Sequence, residues 1–412
     1  MSFEYRADVL HCENVDLRAI ALEAGTPCYV YSASGILQRY QAYCRALQSV
    51  PHRICYAVKA NSNLSVLRLL ADHGAGFDIV SGGELFRVLQ AGGAPESIVF
   101  SGVGKTAAEI EYALKSGIHT FNCESPAELE TISAIAAGLG TVARIALRVN
   151  PDVDAATHPY ISTGMSEHKF GIDISEVEGV YRMAATLPGL VPEGVSCHIG
   201  SQILDADPLL EAVDKMLSLV DRLRESGIPI RHLDLGGGLG VRYKPHEQPP
   251  PISEVAGAVA SRVAGRGLQL MLEPGRSIVA EAGVLLTRVL YRKRTSRKEF
   301  MVVDAAMNDL IRPALYKSWH DVVPVERNDH RSLVTADVVG PICETGDFLA
   351  RDREMPEAQA GDLLSIATAG AYGFTQASNY NSRPRASEVL VEGSSWRFAR
   401  QRESYEDLIR GE

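Results

Sequence analysis

The sequence predicts an α/β protein joined to an all-β part: an N-terminal (β/α)8 TIM barrel and a C-terminal antiparallel β-sandwich or barrel-like domain. Three observations carry this. From residue 54 onward, short apolar runs alternate with amphipathic helical patterns, and eight such units fit in about 230 residues, the count and size of a (β/α)8 barrel. The helical patterns open on Ser, Thr, Asp or Pro and mostly close on Gly, with apolar residues recurring at three and four. After about residue 284 the texture changes to strand-like runs separated by turns.

Taken in order, the barrel strands are expected at 54–58, 77–80, 98–101, 119–122, 142–149, 195–199, 232–235 and 268–272. Between them lie helical segments such as "SVLRLLADHG", "TAAEIEYALKSG" and "DPLLEAVDKMLSLVDRLRESG". A doubly wound open sheet fits less well, because no GxGxxG follows the first strand. The runs "VLLTRVLYRKR", "EFMVVDAA", "SLVTADVVG", "DLLSIATAG" and "SEVLVEG" supply the β domain. The expected division is a barrel over 30–283 and a β domain over 284–412 joined by residues 1–29, whose "TPCYVYS" reads as a strand packing with it. The prolines at 249–251 mark a turn before a barrel helix.

Bulk properties narrow the function classes. The chain has 412 residues, 46% hydrophobic and 22% charged, as in an ordinary globular protein. A net charge of −10 argues against nucleic acid or an anionic membrane as partner. Seven scattered cysteines without a CxxC pair point to a reducing, cytoplasmic setting rather than a disulfide framework. The first twenty residues lack the basic and apolar regions of a signal peptide, and no run of about 18 apolar residues could span a bilayer. No HxxxH or Cys/His cluster suggests a metal site.

In a (β/α)8 barrel, chemistry sits at the C-terminal strand ends. Polar and glycine-rich groups collect there: Lys59 in "CYAVKANSN", Asp78, Ser81 and Glu84 in "FDIVSGGE", then "SGVGK", Asn122, His198 and Ser201 in "HIGSQ", "LGGGLG" at 235–240, and "EPGR" at 273–276. Each has two readings. Lys59 is a strand end reaching water or a reactive amine that forms a Schiff base. Gly236–Gly238 is an ordinary turn or a cradle whose N–H groups approach an anion. Glu273 caps a turn or partners a pyridine nitrogen. His198 is a core histidine or lies on a cofactor ring. A lysine and a phosphate cradle at one barrel mouth together suggest pyridoxal 5'-phosphate (PLP).

"YAVKAN", "FDIVSGGE", "HIGSQ", "LGGGLG", "EPGR", "DAAMNDLIRPALY", "GPICETGD" and "GAYG" resemble, in order, the diaminopimelate decarboxylases, PLP enzymes of the alanine-racemase-like fold. The likeness runs from about 25 to 392 and includes "NPDVDAATHPYISTGMSEHKFGI" (150–172), a loop near the active site in that family. The resemblance implies that Lys59 carries PLP, with Asp78, His198, Ser201, Gly237, Glu273, Gly275, Arg276 and Tyr372 around the cofactor. Arg276, Arg312 and Tyr316 would grip the carboxylate at the substrate's far end, Glu344 its amine, and Tyr372 both ligands. Cys343 would be the proton donor, acting in a homodimer whose active sites are each completed by the other subunit. The implied reaction is decarboxylation of meso-2,6-diaminopimelate to L-lysine and CO2, which ends bacterial lysine biosynthesis. On residue type alone, a surface ion-pairing arginine is the default reading of Arg312 and a plain buried thiol that of Cys343. "CET" replaces the family's commoner "CES"; Thr345 keeps the hydroxyl.

Three other readings stay open. A PLP decarboxylase of ornithine or arginine would need an acidic far pocket, which Arg276 and Arg312 oppose. A racemase of this fold would pair the ring nitrogen with arginine rather than Glu273. A non-catalytic PLP-binding protein would be a single barrel without the β domain.

Overall fold

Residues 2–154 and 169–412 are described in the computed structural model. Most of the loop expected at 150–172 therefore lies outside the described residues. The chain divides into two compact units. One comprises Arg39–Val241 and Gln248–Gly275, the other Met1–Gln38, Arg242–Glu247 and Arg276–Glu412.

The first unit is a closed barrel of eight parallel strands. They are β1 (His52–Ala57), β2 (Gly76–Ile79), β3 (Ile98–Phe100), β4 (Thr120–Cys123), β5 (Ala143–Asn150), β6 (Leu190–Ser196), β7 (His232–Asp234) and β8 (Gln269–Leu272). Leu272 opposite Ile54 closes the ring. Both faces are covered, so the strands read as near-continuous apolar runs such as "IVF", every residue of which is buried. All eight fall on the runs read from the sequence. β6 departs most: it begins at Leu190 because Pro192 and Gly194 are carried through a register shift, and it ends at Ser196, leaving His198 in the following turn. β1 likewise stops at Ala57, and Lys59 sits in a 3-10 turn, Val58–Ala60.

Side-chain caps start several helices soon after a strand. Asn63 accepts from Ser65 N–H, Ser81 from Glu84 N–H, and Ser125 from Glu128 N–H just ahead of Pro126. Thr106 and Glu109 form a capping box. Each cap satisfies orphan helix donors and fixes a loop at the end of the barrel where Lys59 lies.

The opposite end is sealed by two histidines, His119 and His232, with ring centroids 5.7 Å apart. His232 stands in register with Gly194 on the neighbouring strand. Burial lowers the two imidazoles to about 4 and about 3, so both are neutral.

The second unit is built on a nine-stranded, mainly antiparallel sheet. Its long central strand, Gly283–Arg294, is flanked in its first half by Cys28–Ser32 on one edge and Leu363–Ile366 on the other, and pairs in its second half with Glu299–Val303. The "TPCYVYS" strand lies between Gly283–Arg294 and Ser387–Glu392. Alternate residues Cys28, Val30, Val284, Leu286, Val389 and Val391 face one core, joined by Leu17 and Ile20 of the helix Leu17–Ala24. Among the described residues no helix is long and apolar enough to cross a membrane.

A Cβ at Gly194 would stand 1.8 Å from His232 Nε2. Gly194→Ala is therefore expected to cost about 1–3 kcal/mol by overpacking the barrel floor, read as a lower urea midpoint at an unchanged slope.

Candidate active site

In the barrel unit, Lys59 Nζ donates to Asp78 Oδ2 at 2.7 Å. The pair follows from register: Asp78 lies opposite Ala57, so a side chain two residues beyond the end of β1 meets it. Asp78 is fully buried and its Oδ1 has no partner among the described residues. Lys59 is 39% exposed, so the amine is reachable while its counter-charge is not. Beside them Glu84 accepts from Val80 N–H at 2.7 Å, and burial, reinforced by the Asp78 carboxylate, raises it to about 7.

A second carboxylate pair lies deeper. Asn122 Nδ2 donates to Asp234 Oδ2 at 3.0 Å, to Glu273 Oε1 at 3.2 Å and to Ser101 Oγ at 3.1 Å, while Ser101 Oγ donates to Glu273 Oε1 at 3.3 Å. Burial, then the Asp234 and Asp78 carboxylates, holds Glu273 well above the usual range; Asp234 is raised by burial too. Both shifts favour the protonated, uncharged form in this cluster.

The glycine loop is built onto these acids. Gly236 N–H donates to Asp234 Oδ1 at 2.9 Å, and Glu273 N–H donates to Gly236 O at 2.7 Å. Gly236 and Gly238 have φ of +65° and +110°, the left-handed region that favours glycine. A Cβ at Gly237 would lie 2.4 Å from Glu273 O, and one at Gly275 would lie 2.9 Å from Ala60 Cβ. Gly237 N–H donates to His198 Nδ1 at 3.3 Å, and burial, then Arg148 and Lys59, keeps that imidazole neutral. Ser201 stands in the connection from β6 to the helix Asp207–Glu225. An exposed amine, an orphaned carboxylate oxygen, a proton-holding glutamate and a backbone cradle that excludes a Cβ fit PLP.

In the second unit, Arg276 opens the helix Arg276–Val279 and Arg312 opens Arg312–Tyr316. Both are buried, at 7% and 5% exposure. Arg276 Nη1 donates to Tyr243 Oη at 2.8 Å, and its guanidinium carbon lies 4.8 Å from the Tyr372 ring centroid. That of Arg312 lies 5.0 Å from Tyr243 and 5.9 Å from Tyr316. Tyr372 holds φ of +56°, strained for a tyrosine. Among the described residues Arg312 makes no ion pair; its hydrogen bonds go to His320 Nε2 at 3.4 Å and Ser318 Oγ at 3.3 Å.

Cys343 and Glu344 have different surroundings. Both are exposed; Cys343 N–H donates to Asn381 Oδ1 at 2.8 Å, and Tyr380 Oη donates to Glu344 Oε2 at 2.7 Å. Asp347 fixes their turn by accepting from Ile342 N–H and Met307 N–H.

Sequence reading missed Asp234, Tyr243 and His320. Asp234 had a signal, an acid inside the apolar run "HLDL". Tyr243 and His320 had none, because their partners are far along the chain.

A family profile described as "Pyridoxal-dependent decarboxylase, pyridoxal binding domain" matches residues 33–280. The diaminopimelate decarboxylase of Pseudomonas aeruginosa is 58% identical over 411 residues, covering 100% of this chain and 98% of that one. That of Vibrio cholerae is 52% identical, covering 98% of this chain and 97% of its own. The crystal structure of the Helicobacter pylori diaminopimelate decarboxylase complexed with L-lysine is 44% identical with a TM-score of 0.92, covering 96% of this chain and 98% of that one.

The raised Glu273 predicts a pH dependence of the cofactor-free protein. The unfolded chain releases this proton near the ordinary value of 4.5, whereas the folded chain retains it. The stabilisation is therefore complete below that pH and declines as pH rises toward the folded value. In urea unfolding between pH 5 and 8, Glu273→Gln is expected to remove this decline; an unaltered slope would show that the proton is not held there.

Proposed function

The chain belongs to the diaminopimelate decarboxylase family, and we propose that it removes one carboxylate of meso-2,6-diaminopimelate as CO2 and releases L-lysine, closing lysine biosynthesis. The observation that carries the reading is Arg312. A buried guanidinium without an ion pair among the described residues, beside a second arginine, is costly unless an anion arrives. A substrate that keeps one amino-carboxylate end intact brings that anion. Arginine suits the task because its planar fork binds a carboxylate bidentately.

PLP is the cofactor, and when bound it supplies an electron sink for the carbon that loses CO2. The residue roles are our proposal. Lys59 carries the cofactor through Nζ, and Asp78 holds that amine in place. Glu273 brings its proton to the ring nitrogen, backed by Asn122 and Asp234. The N–H groups of Gly236–Gly238 and of Gly275–Arg276 take the phosphate, with Ser201 nearby, and neutral His198 covers the ring face without adding charge. Arg276, Arg312 and Tyr316 bind the retained carboxylate, and Tyr372 contacts cofactor and substrate. Cys343 returns a proton to the carbon, and Glu344 binds the distal amine. The exposure of Cys343 and Glu344 in a single chain supports a homodimer in which they serve the partner's site. We read the protein as a cytoplasmic homodimer with barrel 30–283 and β domain 1–29 plus 284–412 as functional parts.

Ornithine or arginine as substrate would set a basic end against Arg312, a like-charge contact. A non-catalytic PLP-binding role leaves that arginine without purpose.

The purified protein with PLP is expected to yield CO2 and L-lysine from meso-diaminopimelate, and no CO2 from L-ornithine or L-arginine. Lys59→Ala should abolish turnover. Arg312→Ala should raise KM about a hundredfold, as loss of a buried charge-assisted pair implies. Turnover of ornithine or arginine would overturn the far-end assignment.

A further inference from the structure

The segment Arg242–Glu247 separates from the barrel sequence on either side of it and belongs to the second unit. Tyr243 is its buried residue with the most specific surroundings. The segment is pinned at its own ends: Tyr243 N–H and Lys244 N–H both donate to Glu247 Oε2, at 2.9 and 3.1 Å, and Glu247 N–H donates to Lys244 O at 3.1 Å. That short turn sets the direction of the tyrosine ring.

The ring serves both buried arginines at once. Its phenol oxygen accepts from Arg276 Nη1 at 2.8 Å, and its centroid lies 5.0 Å from the Arg312 guanidinium carbon. His320 packs against it edge-on, with centroids 5.2 Å apart at 76°. His320 Nδ1 donates to Ala367 O at 2.9 Å, which leaves Nε2 as the acceptor facing Arg312 Nε. Two like-charged guanidiniums do not stay together in a buried place unless something fixes their separation. One phenol does so here, by a charge-assisted hydrogen bond to the first and a cation–π contact to the second. Burial alone would push the phenol up, yet the two guanidiniums draw it below its ordinary value, in keeping with this placement.

We propose that Tyr243 is a specificity-determining positioning residue: its oxygen orients Arg276 and its ring spaces Arg312, so that the pair accepts the carboxylate at the unreacted end of the substrate. This rests on the roles given above to the two arginines. It adds a residue whose contacts are with Arg276, Arg312 and His320, and which through them sets how well a carboxylated far end is told from a bare amine.

The test uses the PLP-loaded enzyme and the variants Tyr243→Phe and Tyr243→Leu. Two quantities are read: kcat and KM for meso-diaminopimelate, and dissociation constants for L-lysine and cadaverine from the cofactor absorbance. Cadaverine is lysine without its carboxylate, so a general packing defect weakens both ligands alike. Tyr243→Phe is expected to raise KM about tenfold while kcat falls no more than about twofold, and to weaken L-lysine about tenfold with cadaverine unmoved. Tyr243→Leu, which also removes the ring from Arg312, should weaken lysine about a hundredfold. Equal losses for lysine and cadaverine, or an unchanged KM and lysine affinity in Tyr243→Phe, would overturn the proposal. A wild-type enzyme that makes no lysine from diaminopimelate sinks the functional reading separately, while the lysine-to-cadaverine comparison still decides the role of Tyr243.

Discussion

The barrel site depends on one constraint, the burial of three carboxylates, Asp78, Asp234 and Glu273, near a single reachable amine. An isolated ionised carboxylate in a protein interior costs several kcal/mol. The fold offsets this by three routes. Lys59 sits 2.7 Å from Asp78. Asn122 and Ser101 donate into the Asp234–Glu273 pair. Protonation removes charge where Glu273 is raised. Each route has a chemical consequence. The amine is held without being covered, and Glu273 is biased toward its protonated form, which is what its proposed role toward a pyridine nitrogen requires. Asp234 also orders Gly236 N–H, so the solution to a charge problem becomes the shape of an anion cradle.

The same reasoning explains which parts were legible in the sequence. The eight strands were, because a barrel strand buried on both faces must be apolar along its length, and the intervening helices must cap and repeat at 3.6. Glycines at 236–238 were, because positions 236 and 238 hold positive φ and a Cβ at 237 would meet Glu273 O. What local pattern cannot carry is pairing across the chain. Nothing in "TPCYVYS" names Gly283–Arg294 and Ser387–Glu392 as its neighbours, and nothing near Tyr243 announces Arg276, Arg312 and His320. β6 was drawn short for a related reason. Gly194 leaves room for His232 on the neighbouring strand, a cross-strand reason that the local string does not show.

The resemblance to a known family adds roles that geometry in one chain does not assign. Lys59, Asp78, His198, Gly237 and Glu273 are gathered around one end of the barrel by hydrogen bonds and mutual electrostatics. Arg276, Arg312, Tyr316 and Tyr372 gather within the second unit. Among the described residues Cys343 and Glu344 join neither group, and their turn is fixed instead by Asn381, Tyr380 and Asp347. A motif can therefore be recognised as a string while its residues stand in a different neighbourhood from the rest.

The arginine pair shows how a site proposed to bind a ligand differs from one that only stabilises the fold. A buried guanidinium is usually retained because a carboxylate answers it, and removing that answer costs 3–5 kcal/mol in typical cases, so its lack at Arg312 is stability forgone. The aromatic shell of Tyr243, Tyr316 and His320 recovers part of this through cation–π contact and a neutral acceptor, and burial still pulls the guanidinium below its ordinary pKa. A neutral shell is the arrangement that tolerates the charge without neutralising it. Had an aspartate stood at position 320, the fold would be more comfortable and the guanidinium already answered. The free-energy deficit left at Arg312 is what an incoming carboxylate would relieve, and under the proposed role of this arginine, affinity for an acidic far end would follow from the residue types the shell omits as much as from those it contains.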